Sequence, residues 1–208
     1  SVSGSSDATV SISISGLSPA KTYYYRIAAQ SSAGTTNGSE MSFTTSDTTA
    51  PAGSININSG DSYTNSTAVT LSLSATDNVG IKGYFRSSNA TTPSASDAGW
   101  TSVTSTTNYS GSVSYTLGSG NGKKTVYVWY KDASGNVSSP AIDSISLDTT
   151  APAITITNPT YNSTYTTTSS TMSLGGDVSD SASGVNSITW SNDKGGSGTT
   201  SGTTGWLF

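Results

Sequence analysis

The chain has 208 residues, a net charge of −4 and 10% charged residues, with 45 Ser, 35 Thr, a single Glu (Glu40) and neither Cys nor His. Absent Cys rules out disulfides and thiol chemistry, and absent His removes the usual general base and the commonest transition-metal ligand together. An acidic balance without a basic patch argues against nucleic acid as partner, and no apolar run approaches the ~18 residues of a membrane span.

Low charge with low hydrophobicity can accompany disorder. Here, however, the apolar residues alternate in short runs rich in Val, Ile, Tyr and Thr, which fit a pleated, half-buried surface. The expected class is therefore ordered all-β. In chain order, Val10, Ile12 and Ile14 alternate and predict a strand. Pro19 sets a turn within Leu17-Ser18-Pro19-Ala20-Lys21-Thr22-Tyr23. The strand after it places Tyr23, Tyr25, Ile27 and Ala29 on one face and Tyr24 on the other. Ser32-Ala33-Gly34 reads as a hairpin turn, and Met41 and Phe43 alternate in a further strand.

Asp47-Thr48-Thr49-Ala50-Pro51 then recurs letter for letter 101 residues later as Asp148-Thr149-Thr150-Ala151-Pro152. Ser54-Ile55-Asn56-Ile57 parallels Ala153-Ile154-Thr155-Ile156, and Leu71-Ser72-Leu73 parallels Met172-Ser173-Leu174. A fixed period of this length means an array of like modules, each about the size of one β-sandwich. Between the two copies, strands are predicted at 54–57, 69–75, 81–86, 101–104, 112–117, 124–131 and 142–147, bounded by Gly, Asn, Asp and Ser turns. After the second copy the plan restarts. Asp180-Ser181-Ala182-Ser183-Gly184-Val185 stands where Asp77-Asn78-Val79-Gly80-Ile81 stood, Ile188 and Trp190 continue a strand, and Lys194 to Gly198 reads as a hairpin tip.

Leu17, Pro19 and Tyr23, followed by Arg26-Ile27-Ala28-Ala29, resemble the fibronectin type III pattern Leu-x-Pro-x-x-x-Tyr and Arg-Val-x-Ala over residues 8–46. The resemblance implies that Tyr23 forms a tyrosine corner, its hydroxyl bonded to nearby backbone. That family's first half, with its early core Trp, has no counterpart here. The hairpin Asp132-Ala133-Ser134-Gly135-Asn136 and the segment Asp77 to Ile81 resemble bacterial immunoglobulin-like repeats. Together these imply tandem immunoglobulin-like and fibronectin type III β-sandwiches with incomplete terminal modules. The expected units are a partial fibronectin type III-like domain at 1–46, a complete immunoglobulin-like domain at 47–148, and the N-terminal part of another at 149–208. Two readings of the unfinished ends stay open: a piece of a longer chain, or half-modules that complete one another between neighbouring chains.

Candidate sites are few. Calcium takes carboxylate and carbonyl oxygens, and Asp77, Asp132 and Asp148 at turns or linkers are the set to expect if it binds. The competing reading is that each Asp caps its own turn. Trp100, Trp129, Trp190 and Trp206, with Tyr23, Tyr24, Tyr25, Tyr127 and Tyr130, are either a sugar-stacking platform or core packing. Six Asn-x-Ser/Thr sequons occur at about the frequency chance gives in so Ser/Thr-rich a chain. No catalytic set emerges, since the many hydroxyls lack a His base and slim sandwiches rarely make a cleft. Pro51 and Pro152 stiffen two short linkers by fixing their own φ and extending the residue before.

The expectation is a non-catalytic segment of a bacterial secreted or cell-surface protein, acting as a semi-rigid spacer or filament-forming unit. Its partners would be neighbouring modules of the same or an adjacent chain, including a homopolymer built by strand complementation. The alternatives are a module that binds polysaccharide or a host surface, and an accessory region of a larger secreted enzyme or electron-transfer protein.

Overall fold

A computed structural model describes residues 9–201 and 205–207. Among them there are strands and one short 3-10 turn, and no α-helix. The near-continuous two-residue alternation leaves no 3.6-residue apolar stripe on which a helix could pack.

Strands β1 (Thr22–Tyr25), β2 (Ala28–Ser31), β3 (Gly34–Asn37) and β4 (Met41–Thr44) nest as β1 against β4 and β2 against β3. The strand expected to run unbroken through Ala29 is interrupted after Tyr25, where the Ile27 carbonyl instead accepts the Gly38 N–H at 2.7 Å. Val10, Ile12 and Ile14 form no strand, contrary to their alternation, and are 56%, 89% and 56% exposed. A strand exists only through its ladder, and no described strand pairs with this segment.

The middle of the chain carries β5 (Ala52–Ile57), a 3-10 turn at Asn58–Gly60, β6 (Tyr63–Thr64), β7 (Ala68–Ser87), β8 (Thr101–Thr116), β9 (Gly122–Asp132) and β10 (Ala141–Leu147). These form one six-stranded sheet in the order β5-β7-β9-β10-β6, with β8 also on β7. The strands expected at 69–75 and 81–86 are one element, β7, and those at 101–104 and 112–117 are one element, β8. The register of β7 slips between Thr76 and Ile81; its first half pairs with β5 and its second half with β9. The sheet thereby folds over itself at residues 77–80. Gly80 permits the fold at φ 145°, a conformation L side chains rarely adopt, and lies close against Ser105.

The core sits in this fold. Ile57, Leu71 and Leu73 pack with Ile81, Val126, Val128, Tyr130 and Ile145, none more than 3% exposed. Two bonds close it across strands that are not sheet neighbours. The Tyr130 hydroxyl of β9 donates to the Ser54 carbonyl of β5 at 2.6 Å, and Asp143 Oδ2 of β10 accepts the Ile57 N–H of β5 at 2.7 Å. A smaller aromatic cluster of Phe85, Trp100 and Trp129 is stitched by ring edges at 5.7 and 6.2 Å, with Lys131 Nζ 4.7 Å above the Trp100 ring.

Beyond the second linker, β11 (Ala153–Asn158), β12 (Gly175–Ser179), β13 (Ser187–Ser191), β14 (Ser197–Ser201) and β15 (Gly205–Leu207) form a β11-β12-β15 sheet and a β13-β14 hairpin. A cleft of about 770 Å³ runs between Ile154, Ile156, Tyr161 and Leu174 on one side and Ile188 and Trp190 on the other. Ile154 and Ile156 stay 54% and 53% exposed, so this apolar layer is only half covered. No helix among the described residues is long and apolar enough to cross a membrane.

Candidate metal centre

Three turns meet where the first linker reaches the middle sheet. In the linker, Asp47 Oδ1 accepts the Thr49 N–H at 3.1 Å, a local Asx turn. It also accepts from Asn78 Nδ2 at 3.0 Å. At the fold in β7, Asp77 Oδ2 accepts the Val79 and Gly80 N–H groups at 2.9 and 2.6 Å. At the end of β9, Asp132 Oδ1 accepts the Ser134 and Asn136 N–H groups at 2.9 and 2.8 Å, closing the turn. Asn136 Nδ2 then joins turn to linker, donating to Asp132 Oδ2 at 2.7 Å and to the Asp47 and Thr49 carbonyls at 3.1 and 3.4 Å. Pro51, in the same linker, is buried.

One carboxylate oxygen from each of Asp47, Asp77 and Asp132 lies within 4.8 Å of the others. Asp47 is 6% exposed and Asp132 2%. Each carboxylate uses part of its acceptor capacity on its own turn, but Asp47 Oδ2 and Asp77 Oδ1 are buried with no hydrogen-bond partner. The hydrogen bond from Asn78, and after it the Thr49 backbone bond, outweigh burial and hold the Asp47 carboxyl below its ordinary pKa of 3.8. Among the described residues no cationic side chain forms an ion pair with the group; the pair found there is Asp193–Lys194, far along the chain. The donor set is all oxygen, which suits a hard cation.

Of the three residues expected to hold calcium, Asp77 and Asp132 come together. Asp148 does not join them, because it lies beyond the opposite end of β9, about 33 Å away at the rise of a strand. Its repeat counterpart Asp47 takes the place. Asp148 instead sits in the second linker, where Oδ1 accepts from Asn121 Nδ2 at 2.9 Å and from the Thr150 N–H at 3.0 Å. Its Oδ2 accepts the Ser183 N–H at 3.0 Å, a bond Ser183 shares with Asp180. The Ser183 hydroxyl, and after it the Thr150 backbone bond, hold the Asp148 carboxyl below its ordinary value against the effect of burial. Asp47 was absent from the expected set although the signal existed: it is the same letter in the same pentapeptide as Asp148.

The other singled-out residues have plain places. Tyr23 Oη accepts the Ser18 N–H at 2.8 Å, and its ring stacks on Phe43 at 5.7 Å. Leu17 is half-buried, while Pro19, Arg26 and Pro152 are exposed. Among the aromatic candidates Trp129 and Tyr130 are fully buried and Trp100 is half-buried, whereas Tyr24 faces outward at 69% exposure. The Trp206 side chain lies outside the described residues. No family model matches the chain, and no curated protein does.

Proposed function

We propose that the chain is a non-catalytic structural segment of a bacterial extracellular or cell-surface protein, in which tandem immunoglobulin-like and fibronectin type III sandwiches act as a semi-rigid spacer or appendage-forming rod. The observation that carries this reading is the grip on the second linker. One carboxylate, Asp148, is bonded through one oxygen to Asn121 of the middle unit and through the other to Ser183 of the next. The linker backbone is held as well, with the Thr149 N–H on Asn121 Oδ1 at 3.0 Å and the Asp148 N–H on the Thr64 carbonyl at 2.8 Å. A joint of about five residues tied on both sides transmits orientation, unlike a flexible tether. The Ser18–Tyr23 bond supports the fibronectin type III resemblance of the first unit.

The half-covered layer of Ile154 and Ile156 favours further strands, from the same or an adjacent chain, as partner. A polysaccharide- or host-surface-binding role is less well supported, because Phe85, Trp100 and Trp129 pack on one another and do not face solvent together.

Small-angle scattering tests the rod. β9 alone spans about 33 Å, so three units in line reach about 100 Å, with a radius of gyration of roughly 30 Å. A single compact globule of this length has a radius of gyration of about 17 Å, and that value would end the spacer reading.

A further inference from the structure

We propose that Asp47, Asp77 and Asp132 bind a calcium ion that clamps the Asp-Thr-Thr-Ala-Pro linker onto the module following it. Three carboxylates within 4.8 Å of one another, two of them nearly fully buried, form a concentration of negative charge with which no described Lys or Arg forms an ion pair. Like charges so placed repel unless a proton or a cation stands between them. Beyond the acidic cluster itself, Asp47 is over nine-tenths buried and its Oδ2 has no hydrogen-bond partner. Asp77 is half-buried, and its Oδ1 atom is likewise buried without a partner. Buried polar atoms are rarely left unsatisfied without a missing ligand.

Calcium is the chemistry these atoms fit. It takes six to eight oxygens at 2.3–2.6 Å, so two ligands of one ion lie no more than about 5 Å apart, as these do. Magnesium prefers a tighter octahedron and retains its waters. Zinc and copper favour nitrogen and sulfur donors, and the chain has no His or Cys. The three carboxylates come from the linker, from the fold in β7 and from the turn after β9, so an ion among them would bind all three segments to one point. The pattern also begins again in the next repeat: Asp148 and Asp180 share the Ser183 N–H, and Asp180 Oδ1 accepts the Gly184 N–H at 3.2 Å, as Asp77 accepts from Gly80.

The clamp deepens the spacer reading, but its test does not depend on it, since calcium binding is read on the 208-residue chain whatever that chain spans. Thermal unfolding is followed as CaCl2 is raised to about 10 mM, tenfold above the weakest extracellular calcium modules. The expected result is a Tm that rises and saturates, and an equal concentration of MgCl2 or matched NaCl does not reproduce it. Asp77→Asn keeps the oxygen that accepts from Val79 and Gly80. It is expected to unfold at or above the wild-type temperature without calcium, because repulsion is relieved, and to weaken the calcium response at least tenfold. Asp47→Asn weakens the calcium response in the same way, while Asp61→Asn, outside the cluster, leaves the response intact. Far-UV circular dichroism in EGTA establishes that each variant is folded. No calcium-dependent shift, an equal shift from magnesium or sodium chloride, or a full response in both Asp77→Asn and Asp47→Asn would each overturn the proposal.

Discussion

Replacing Tyr130 with Phe tests how the two layers of the middle sheet are joined. The ring of Tyr130 is fully buried, and its hydroxyl donates to the Ser54 carbonyl across the core at 2.6 Å. Phe retains the ring and loses the bond. Ser54 is itself exposed, so water can reach its carbonyl, and the expected cost at pH 7 is about 1 kcal/mol. For a unit of this size that lowers Tm by roughly 4–8 °C. Alkali should reverse the order of the two proteins. Burial, and after it the neighbouring Tyr109 phenol, raises the Tyr130 pKa well above its ordinary 10.0. Above pH 10 the folded state therefore holds a proton that the unfolded state releases. The stability is fully present below pH 10 and is lost as pH rises. At pH 11 an unfolded phenol of ordinary pKa favours unfolding by about 1.4 kcal/mol, a loss the Tyr130→Phe variant, with no phenol to ionise there, cannot suffer. Urea denaturation followed by circular dichroism at both pH values is the assay. The variant should be less stable at pH 7 and equal or superior to wild type at pH 11. A deficit of the same size at both would refute the buried, protonated phenol.

Two further outcomes follow from single contacts. A methyl group at Gly53 would overlap the Tyr130 ring and approach the Ser74 carbonyl at 3.1 Å, so Gly53→Ala is expected to cost about 1–3 kcal/mol by overpacking, and an unchanged urea midpoint would show that the layers have slack. Asp148 is held below its ordinary pKa of 3.8, first by the Ser183 hydroxyl, so its grip is present above that value and is lost as pH falls through the depressed one; the protection factor of the Ser183 amide, referred to the intrinsic exchange rate at each pH, should be lower below pH 3.8 than at neutrality, and an unchanged protection factor in Asp148→Asn at neutral pH would mean the charge is not what holds the junction.

The all-β class and the near-identical linkers were legible in the sequence, because side-chain period and an exact pentapeptide repeat are local properties of the chain. Leu71, Leu73, Val126 and Val128 point inward as their alternation requires. The turn chemistry of Asp77 and Asp132 was equally local, each carboxylate bonding N–H groups two to four residues on. What only tertiary structure decided is which distant residues share a point. The fold in β7 turns two expected strands into one element serving both β5 and β9, and so brings Asp77 to Asp132. The linker's return onto that end selects Asp47 and leaves Asp148 at the far end of β9. Val10, Ile12 and Ile14 make the converse point, since they alternate in the sequence and yet pair with no described strand. Periodicity specifies which face a residue would present, whereas pairing and long-range closure depend on partners tens of residues away, and no local pattern encodes them.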